Sequence, residues 1–190
     1  NTLGGGFGDT VNVEKIQSAF FTATFSMMGY LAKADGHVTR DEIALAESVM
    51  RQMRLNDQQK KVAITLFNKG KEKGFPVEQV LAQFRTECHR RTNLLQMFLE
   101  ILIATALADG TLHASERQIL QQTAQAIGFS PNDFLHILQR QQAGQHMRGQ
   151  KPDSASAASW YLPSRSVRKV NMKKDSQSGV FSLKAPRMRG

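Results

Sequence analysis

The sequence predicts an all-α fold of about seven helices, and three observations lead to that prediction. Apolar residues recur at spacings of three and four along most of residues 13–147, which is the period of an amphipathic helix. No segment shows a sustained alternation of apolar and polar residues, so no sheet is expected. Capping residues, glycines and prolines divide the chain into segments of helical length, and the later segments repeat the earlier ones.

Composition divides the chain into three parts. Residues 1–12 are rich in glycine and are expected to form a flexible N-terminus, whereas residues 13–147 carry the helical pattern. Residues 148–190 are rich in Ser, Lys and Arg and contain three prolines, which predicts a basic, disordered tail. The 190 residues, of which 41% are hydrophobic, are enough for one domain of about 150 residues with its own core.

The formal net charge of +9 belongs mainly to the tail. Residues 1–150 contain 16 Lys and Arg against 14 Asp and Glu, whereas residues 151–190 contain 9 against 2. Because the helical part is nearly balanced, nucleic acid is not its expected partner. The tail has two interpretations: a segment that contacts nucleic acid or anionic lipid, or a solvated tail without such a role. The solvated tail is favoured.

The first two helices are separated by a glycine turn and a capping box. A helix is expected from Val13, with its apolar face formed by Phe20, Phe21, Phe25, Met28, Leu31 and Ala32. It should end near Asp35-Gly36, because glycine suits the left-handed conformation that follows a helix. Residues 39–42 (TRDE) then form a capping box, in which Thr39 and Glu42 satisfy each other's backbone N–H groups at the start of the second helix.

The remaining helices are placed by their own start signals. Asn56 is the expected N-cap of the third helix, and Pro76 is expected in the first turn of the fourth. The fifth helix, over about 92–108, is the most apolar and should be central. The sixth covers about 115–127, and Ser130-Pro131 begins the seventh with an N-cap serine followed by proline.

An internal repeat at an offset of 74 residues is the main signal in the sequence. Each copy contains a helix, an Asp-Gly turn, a second helix, a capped turn and the start of a third helix. One copy cannot bury its own apolar faces, so two copies should pack around a shared pseudo-twofold axis. The matching positions include Asp35 with Asp109, Gly36 with Gly110, Thr39 with His113, Glu42 with Glu116, and Asn56 with Ser130.

Carboxylates at the two turns form the one candidate metal site. The pseudo-twofold symmetry would bring four of them together, and carboxylate oxygens bind divalent cations. The candidate ligands are Asp35, Glu42, Asp109 and Glu116. The alternative interpretation is structural, because Asp before Gly is common in turns and the helix dipole favours Glu in a first turn. The structural interpretation is favoured, and no cofactor other than a divalent metal is expected.

Three other kinds of site are not expected. An EF-hand would place Leu31 and Lys33 at its first two ligand positions, and neither side chain supplies the acidic oxygen that Ca²⁺ needs there. Cys88 is the only cysteine, which excludes an internal disulfide and any zinc site built from cysteines alone. Cys88 and His89 are adjacent, but nothing else in the sequence indicates acyl transfer. No catalytic residue is assigned, and the chain is not expected to be an enzyme.

Nothing in the sequence predicts a membrane span, since no run of about 18 apolar residues occurs. No signal peptide is visible, and the first residue is Asn1 rather than Met. The sequence is therefore expected to be a piece of a longer protein, and an anchor before it is compatible with what is seen. The single cysteine fits an intracellular, reducing compartment.

Residues 20–43 (FFTATFSMMGYLAKADGHVTRDEI) and 97–120 (MFLEILIATALADGTLHASERQIL) resemble the TerB-like domain family. More narrowly, residues 13–147, including the joint FRTECHRRTNLLQMFLE, resemble the central domain of DnaJ-like co-chaperones of the bacterial inner membrane. The resemblance implies an all-helical fold with an internal pseudo-repeat. It also implies a domain at the cytoplasmic face of that membrane, between an N-terminal transmembrane anchor and a C-terminal J-domain.

The resemblance implies a domain that binds and regulates other proteins. Its partners would be proteins, with homodimerisation as one form of contact, and DnaK/Hsp70 would be engaged by the J-domain. No His-Pro-Asp occurs in the 190 residues, so this chain is not expected to stimulate an Hsp70 by itself. The alternative function is a metal-binding module of tellurite resistance and stress response, which the wider TerB family implies for the four carboxylates. A nucleic-acid-binding protein acting through its tail is the third hypothesis.

Overall fold

The computed structural model describes residues 7–34 and 36–147. In these residues it contains seven α-helices and no strand, so the predicted all-α class is confirmed. The helices are α1 (Phe7–Ala32), α2 (Arg40–Gln52), α3 (Asp57–Gly70), α4 (Val77–Cys88), α5 (Thr92–Ala106), α6 (Ala114–Ile127) and α7 (Pro131–Met147). Over the same residues, no helix has both the length and the hydropathy that crossing a membrane requires.

The helices follow the repeat that the sequence predicts. The ends of α1 and α5 lie 74 positions apart, as do the starts of α2 and α6 and those of α3 and α7. The packing is reciprocal: α3 packs on α1 as α7 packs on α5, and α2 contacts α5 as α6 contacts α1. The two repeats therefore complete each other, as expected for a pseudo-twofold pair. Helix α4 has no counterpart among the described residues, since the equivalent positions in the second repeat lie beyond residue 147, and it packs against α1, α5 and α6.

The core lies between α1 and α5. Both helices bury side chains around most of their circumference, so the prediction of a central α5 is confirmed and α1 shares that position. Phe84 from α4 closes the core, with its ring centroid 4.6 Å from that of Phe98 and 6.2 Å from that of Phe20. Aromatic pairs at these separations add to the free energy of apolar burial.

Several helix boundaries differ from the sequence predictions. Helix α1 covers Phe7–Ala32, whereas the sequence predicted a helix from Val13 to near Asp35-Gly36, so part of the predicted flexible N-terminus is helical from Phe7 onward. A helix that is already nucleated by packing extends cheaply, and the single Gly8 costs only about 1 kcal/mol. Helix α5 ends at Ala106 instead of about 108, and Pro76 is the N-cap of α4 instead of a residue of its first turn. Residues 1–6 and the predicted disordered tail from residue 148 lie outside the described residues.

Candidate functional site

The turns between α1 and α2 and between α5 and α6 use glycine in the same way. Gly36 has a φ of +93° and Gly110 a φ of +90°, a left-handed conformation that residues with a Cβ rarely adopt. The predicted glycine turns are therefore confirmed in both repeats. Asp35, the first candidate ligand, lies outside the described residues.

Glu42 is held at the start of α2 by the predicted capping box. The backbone N–H of Thr39 donates to Glu42 Oε2 at 2.7 Å, and the Thr39 hydroxyl lies 3.0 Å from the same oxygen. In return, the backbone N–H of Glu42 donates to Thr39 Oγ1 at 3.2 Å. Only 5% of Glu42 is exposed. The carboxylate is thus both a cap and a buried group.

Glu116 occupies the equivalent position at the start of α6. The backbone N–H of His113, the N-cap residue, donates to Glu116 Oε2 at 3.0 Å, and Glu116 is 3% exposed. Asp109 lies beside this cap: His113 Nε2 is 3.6 Å from Asp109 Oδ2, and the backbone N–H of Thr111 donates to Asp109 Oδ1 at 2.9 Å. His113 replaces the threonine of the first repeat, and its imidazole brings a titratable group to the turn.

The two glutamates interact across the repeats. Burial, and to a smaller extent the negative charges of Glu42 and Asp109, raise the pKa of Glu116 to about 7. The backbone hydrogen bond from His113 acts in the opposite direction, because it stabilises the ionised carboxylate. The charges of Glu42 and Asp109 both act on Glu116, so three of the four candidate residues interact electrostatically. Glu42 and Glu116 come from different repeats and hold the equivalent cap position in each. We call them the glutamate pair.

The glutamate pair can hold a proton near neutral pH. With a pKa of about 7, the Glu116 carboxyl is divided between its neutral and its ionised form at that pH. A nearby cation would favour the ionised form, and a nearby anion the neutral form. The pair is thus a site whose charge responds to pH and to neighbouring ions.

The described residues do not form a complete metal site. In residues 7–34 and 36–147, no three His, Cys, Asp or Glu side chains are arranged to hold a metal ion. One oxygen of each paired glutamate already accepts its cap hydrogen bond. Since Ca²⁺ takes six to eight oxygens, two partly engaged carboxylates fall short of what it needs. Metal binding by Asp35, Glu42, Asp109 and Glu116 stays a prediction.

Comparison with known families identifies the class of this domain. The family model described as "Tellurite resistance protein TerB" matches residues 21–139, which cover the core helices and both repeats. The chain belongs to the TerB family. No solved structure gave a significant match.

The curated relatives that the chain resembles carry the name "Co-chaperone protein DjlA". The protein from Photobacterium profundum is 45% identical over 144 residues, which is 74% of this chain and 52% of the relative. Those from Vibrio parahaemolyticus and Vibrio cholerae are each 40% identical over 85% and 84% of this chain, and over 59% and 58% of their own lengths. The chain thus spans between half and three-fifths of the length of these relatives, which are named as co-chaperones rather than as enzymes.

Proposed function

We propose that this chain is the TerB-like interaction and regulatory segment of a DjlA-type co-chaperone, and that it works by binding proteins rather than by catalysis. The observation that carries the proposal is the 45% identity to a DjlA co-chaperone over 74% of the chain. In the whole protein, DnaK/Hsp70 would be engaged by a J-domain with the His-Pro-Asp motif that these 190 residues lack. An N-terminal anchor would hold the protein at the cytoplasmic face of the bacterial inner membrane.

The chemistry of the described residues supports a role in binding. Cys88 is the one thiol in the chain, and burial raises its pKa to about 12, so the thiol stays protonated and unreactive. The paired glutamates each cap a helix, which explains their position without a catalytic role. Binding of proteins needs no activated nucleophile. The segment would associate with itself or place partner proteins near the membrane.

A segment exchange tests this function. Residues 13–147 of this chain would replace the corresponding segment of the Photobacterium profundum DjlA, and co-chaperone activity would be measured in cells that depend on that protein. We expect the exchanged protein to be active and a protein without the segment to be inactive. An inactive exchange at normal protein level would contradict the proposal. So would full activity of the protein that lacks the segment.

A divalent cation at the glutamate pair is the second candidate function, as in a metal-binding module of tellurite resistance and stress response. The observation that favours it is the mutual repulsion of Glu42 and Glu116, which a cation would relieve. Ligands beyond these two residues would be required. Isothermal titration with Ca²⁺, Mg²⁺, Mn²⁺ and Zn²⁺ tests this candidate, with the Glu42→Gln/Glu116→Gln variant as the control. The absence of heat with all four ions would remove it.

A further inference from the structure

A groove with a volume of about 960 Å³ lies between four helices. It is formed by the C-terminal end of α4, the N-terminal end of α5, the C-terminal end of α6 and one side of α7. None of its lining residues belongs to the glutamate pair or to the two glycine turns. Its volume corresponds to about two turns of an α-helix with its side chains.

Apolar side chains form the inner wall of this groove. Leu95, Ile127 and Ile137 line it and are otherwise buried in the core, and the partly buried Phe129 lies with them. They come from α5, α6, α7 and the segment before α7, so the wall is built from the packed core and not from one mobile loop. Leu95, Ile127 and Ile137 expose only 6%, 2% and 4% of their surface, so an occupant with apolar side chains would gain free energy mainly by covering Phe129.

Exposed basic side chains surround the apolar wall. Arg85, His89, His136 and Arg140 all line the groove and are exposed. Among the described residues, Arg85 Nη1 donates to the backbone oxygen of Ala126 at 3.3 Å, which places this guanidinium at the groove while leaving further N–H groups for a ligand. Arginine is suited to such a role because its planar N–H groups bind a carboxylate through two hydrogen bonds.

Among the described residues that line the groove, Arg85 and Arg140 stand against the single carboxylate Asp133, which leaves a formal charge of +1 with both histidines counted as neutral. Asp133 Oδ2 accepts from the Ser130 hydroxyl at 2.7 Å. This bond, which caps α7, lowers the pKa of Asp133 and keeps the carboxylate ionised, while it occupies part of its hydrogen-bonding capacity. At the start of α5, Arg91 gives no side-chain cap, so the positive end of the helix dipole lies at Thr92, which lines the groove.

We propose that this groove binds a short, acidic, amphipathic segment of a partner protein. Apolar side chains of the segment cover Leu95, Ile127, Phe129 and Ile137, and its carboxylates pair with Arg85 and Arg140. The chain's own C-terminal part does not match this chemistry, because residues 151–190 contain 9 Lys and Arg against 2 Asp and Glu. The inference rests on the proposed function of protein binding and adds the class of partner and the surface that binds it.

A set of three labelled peptides tests the proposal on the full chain. The first peptide is a 12-residue helix former (about three turns) with glutamates on one face and leucines on the other. The second carries lysine in place of glutamate, and the third carries serine in place of leucine. By fluorescence anisotropy we expect the first to bind, and both others to bind at least about tenfold more weakly. Added salt should weaken the binding of the first.

Two charge-reversal variants locate the binding surface. Arg85→Glu/Arg140→Glu should weaken binding of the acidic peptide by at least about tenfold, whereas Lys61→Glu/Lys73→Glu makes the same change of charge at exposed positions elsewhere and should bind normally. Thermal unfolding followed by circular dichroism checks that both variants fold. Arg140→Glu alone, on an exposed position of α7, gives the same comparison if the double variant is unstable.

Four results would overturn the proposal. They are no binding of the acidic peptide, equal binding of the lysine or serine peptide, equal loss in both charge-reversal variants, and unchanged binding in Arg140→Glu. Self-association of the chain, or binding to anionic phosphatidylglycerol vesicles, that is lost in Arg85→Glu/Arg140→Glu while the acidic peptide does not bind would assign the groove to those occupants and also overturn the proposal. The segment exchange keeps the two proposals apart: an active exchange that tolerates Arg85→Glu/Arg140→Glu removes the groove proposal and leaves the proposed function standing.

Discussion

Burial and ionisation oppose each other at Glu116. Its backbone partner at His113 favours the charged carboxylate, but loss of water and the nearby Glu42 outweigh that bond, and the pKa rises to about 7. A hydrogen-bond acceptor is nevertheless needed at this position, because the Glu116 carboxylate accepts the backbone N–H of the N-cap residue His113. Glu116 therefore fulfils a capping function at an electrostatic cost.

This cost predicts how stability depends on pH. The folded state retains the Glu116 proton up to about pH 7, whereas the unfolded state loses it near pH 4.5, the ordinary pKa of a glutamate. Between these pH values the folded state binds more protons than the unfolded state. The contribution of Glu116 to the free energy of unfolding therefore falls as pH rises from about 4.5 to about 7. Glu116→Gln should remove this part of the slope, by about 3 kcal/mol in total.

Urea denaturation at several pH values measures this effect. Glu78→Gln serves as the control, because Glu78 is an exposed glutamate in the first turn of α4. An unchanged pH dependence in Glu116→Gln would contradict the assignment of the proton to this residue.

Cys88 offers a second test at the residue scale. Its Sγ lies 3.9 Å from the backbone oxygen of Ile16, it is fully buried, and burial raises its pKa to about 12. At pH 8 only about one thiol in ten thousand is ionised. We expect an aromatic disulfide reagent to react at least about 100-fold more slowly with native protein than with protein in concentrated guanidinium chloride. Rapid labelling of native protein would show that α1 and α4 separate there.

The crossing of α1 and α3 depends on two glycines. A Cβ at Gly29 would overlap the backbone oxygen of Phe67, and a Cβ at Gly70 would overlap that of Ser26. The backbones of the two helices are therefore in direct contact. In the second repeat, Gln141 and Glu100 occupy the positions equivalent to Phe67 and Ser26, and Gln141 Nε2 donates to the Glu100 backbone oxygen at 3.2 Å. The Gln141 side chain therefore spans the crossing of α5 and α7, whereas the backbones of α1 and α3 are in direct contact.

The repeat supplies a matched control for this difference. Gly70→Ala should destabilise the protein by about 3 kcal/mol or more, because the backbone atoms that it meets cannot move aside. Gly144 is the equivalent residue in α7, and a Cβ there meets nothing within 4 Å. Gly144→Ala should leave stability unchanged or raise it by up to about 1 kcal/mol. Thermal denaturation compares the two variants, and similar losses in both would refute the argument.

The helix starts were predictable because their signals are local. Thr39 and Asn56 form their capping boxes, and Ser130 caps α7, each with a partner three residues away. The 74-residue offset also predicted that carboxylates of the two turns lie near one another, and the charges of Glu42 and Asp109 do act on Glu116. The metal site itself stays a prediction. By contrast, nothing local in the sequence marked Phe7 as a helix start.

Features that depend on distant contacts were not predictable. The raised pKa of Glu116 requires knowledge of what covers it. The basic groove brings Arg85 and Arg140 together from α4 and α7, and the sequence shows these residues only as scattered charges. The close approach of the backbones at Gly29 and Gly70 was not predictable either, because a glycine inside a helix indicates a contact only when the neighbouring helix is known. The repeat places Ile103 at the position equivalent to Gly29, and this difference between the two copies is the signal that the sequence contains.

At the scale of the whole molecule, the sequence and the proposed function predict no effect on Hsp70 ATPase activity. The 190 residues contain no His-Pro-Asp. The resemblance to DnaJ-like co-chaperones implies that a J-domain stimulates Hsp70 through this motif. Adding this chain to DnaK in a steady-state ATPase assay should leave the rate equal to that of DnaK alone. A J-domain protein serves as the positive control. Clear stimulation would show that another surface of this chain acts on DnaK.

The reciprocal packing of the repeats has one further consequence. Each half buries its apolar faces against the other, as two subunits of a homodimer would, yet α4 joins them in one chain. Because the repeats are covalently linked, their association is intramolecular rather than bimolecular. The effective concentration of one repeat at the other is about the millimolar level typical of short linkers. Dilution therefore cannot separate the halves, and a protein present in few copies per cell keeps this core assembled.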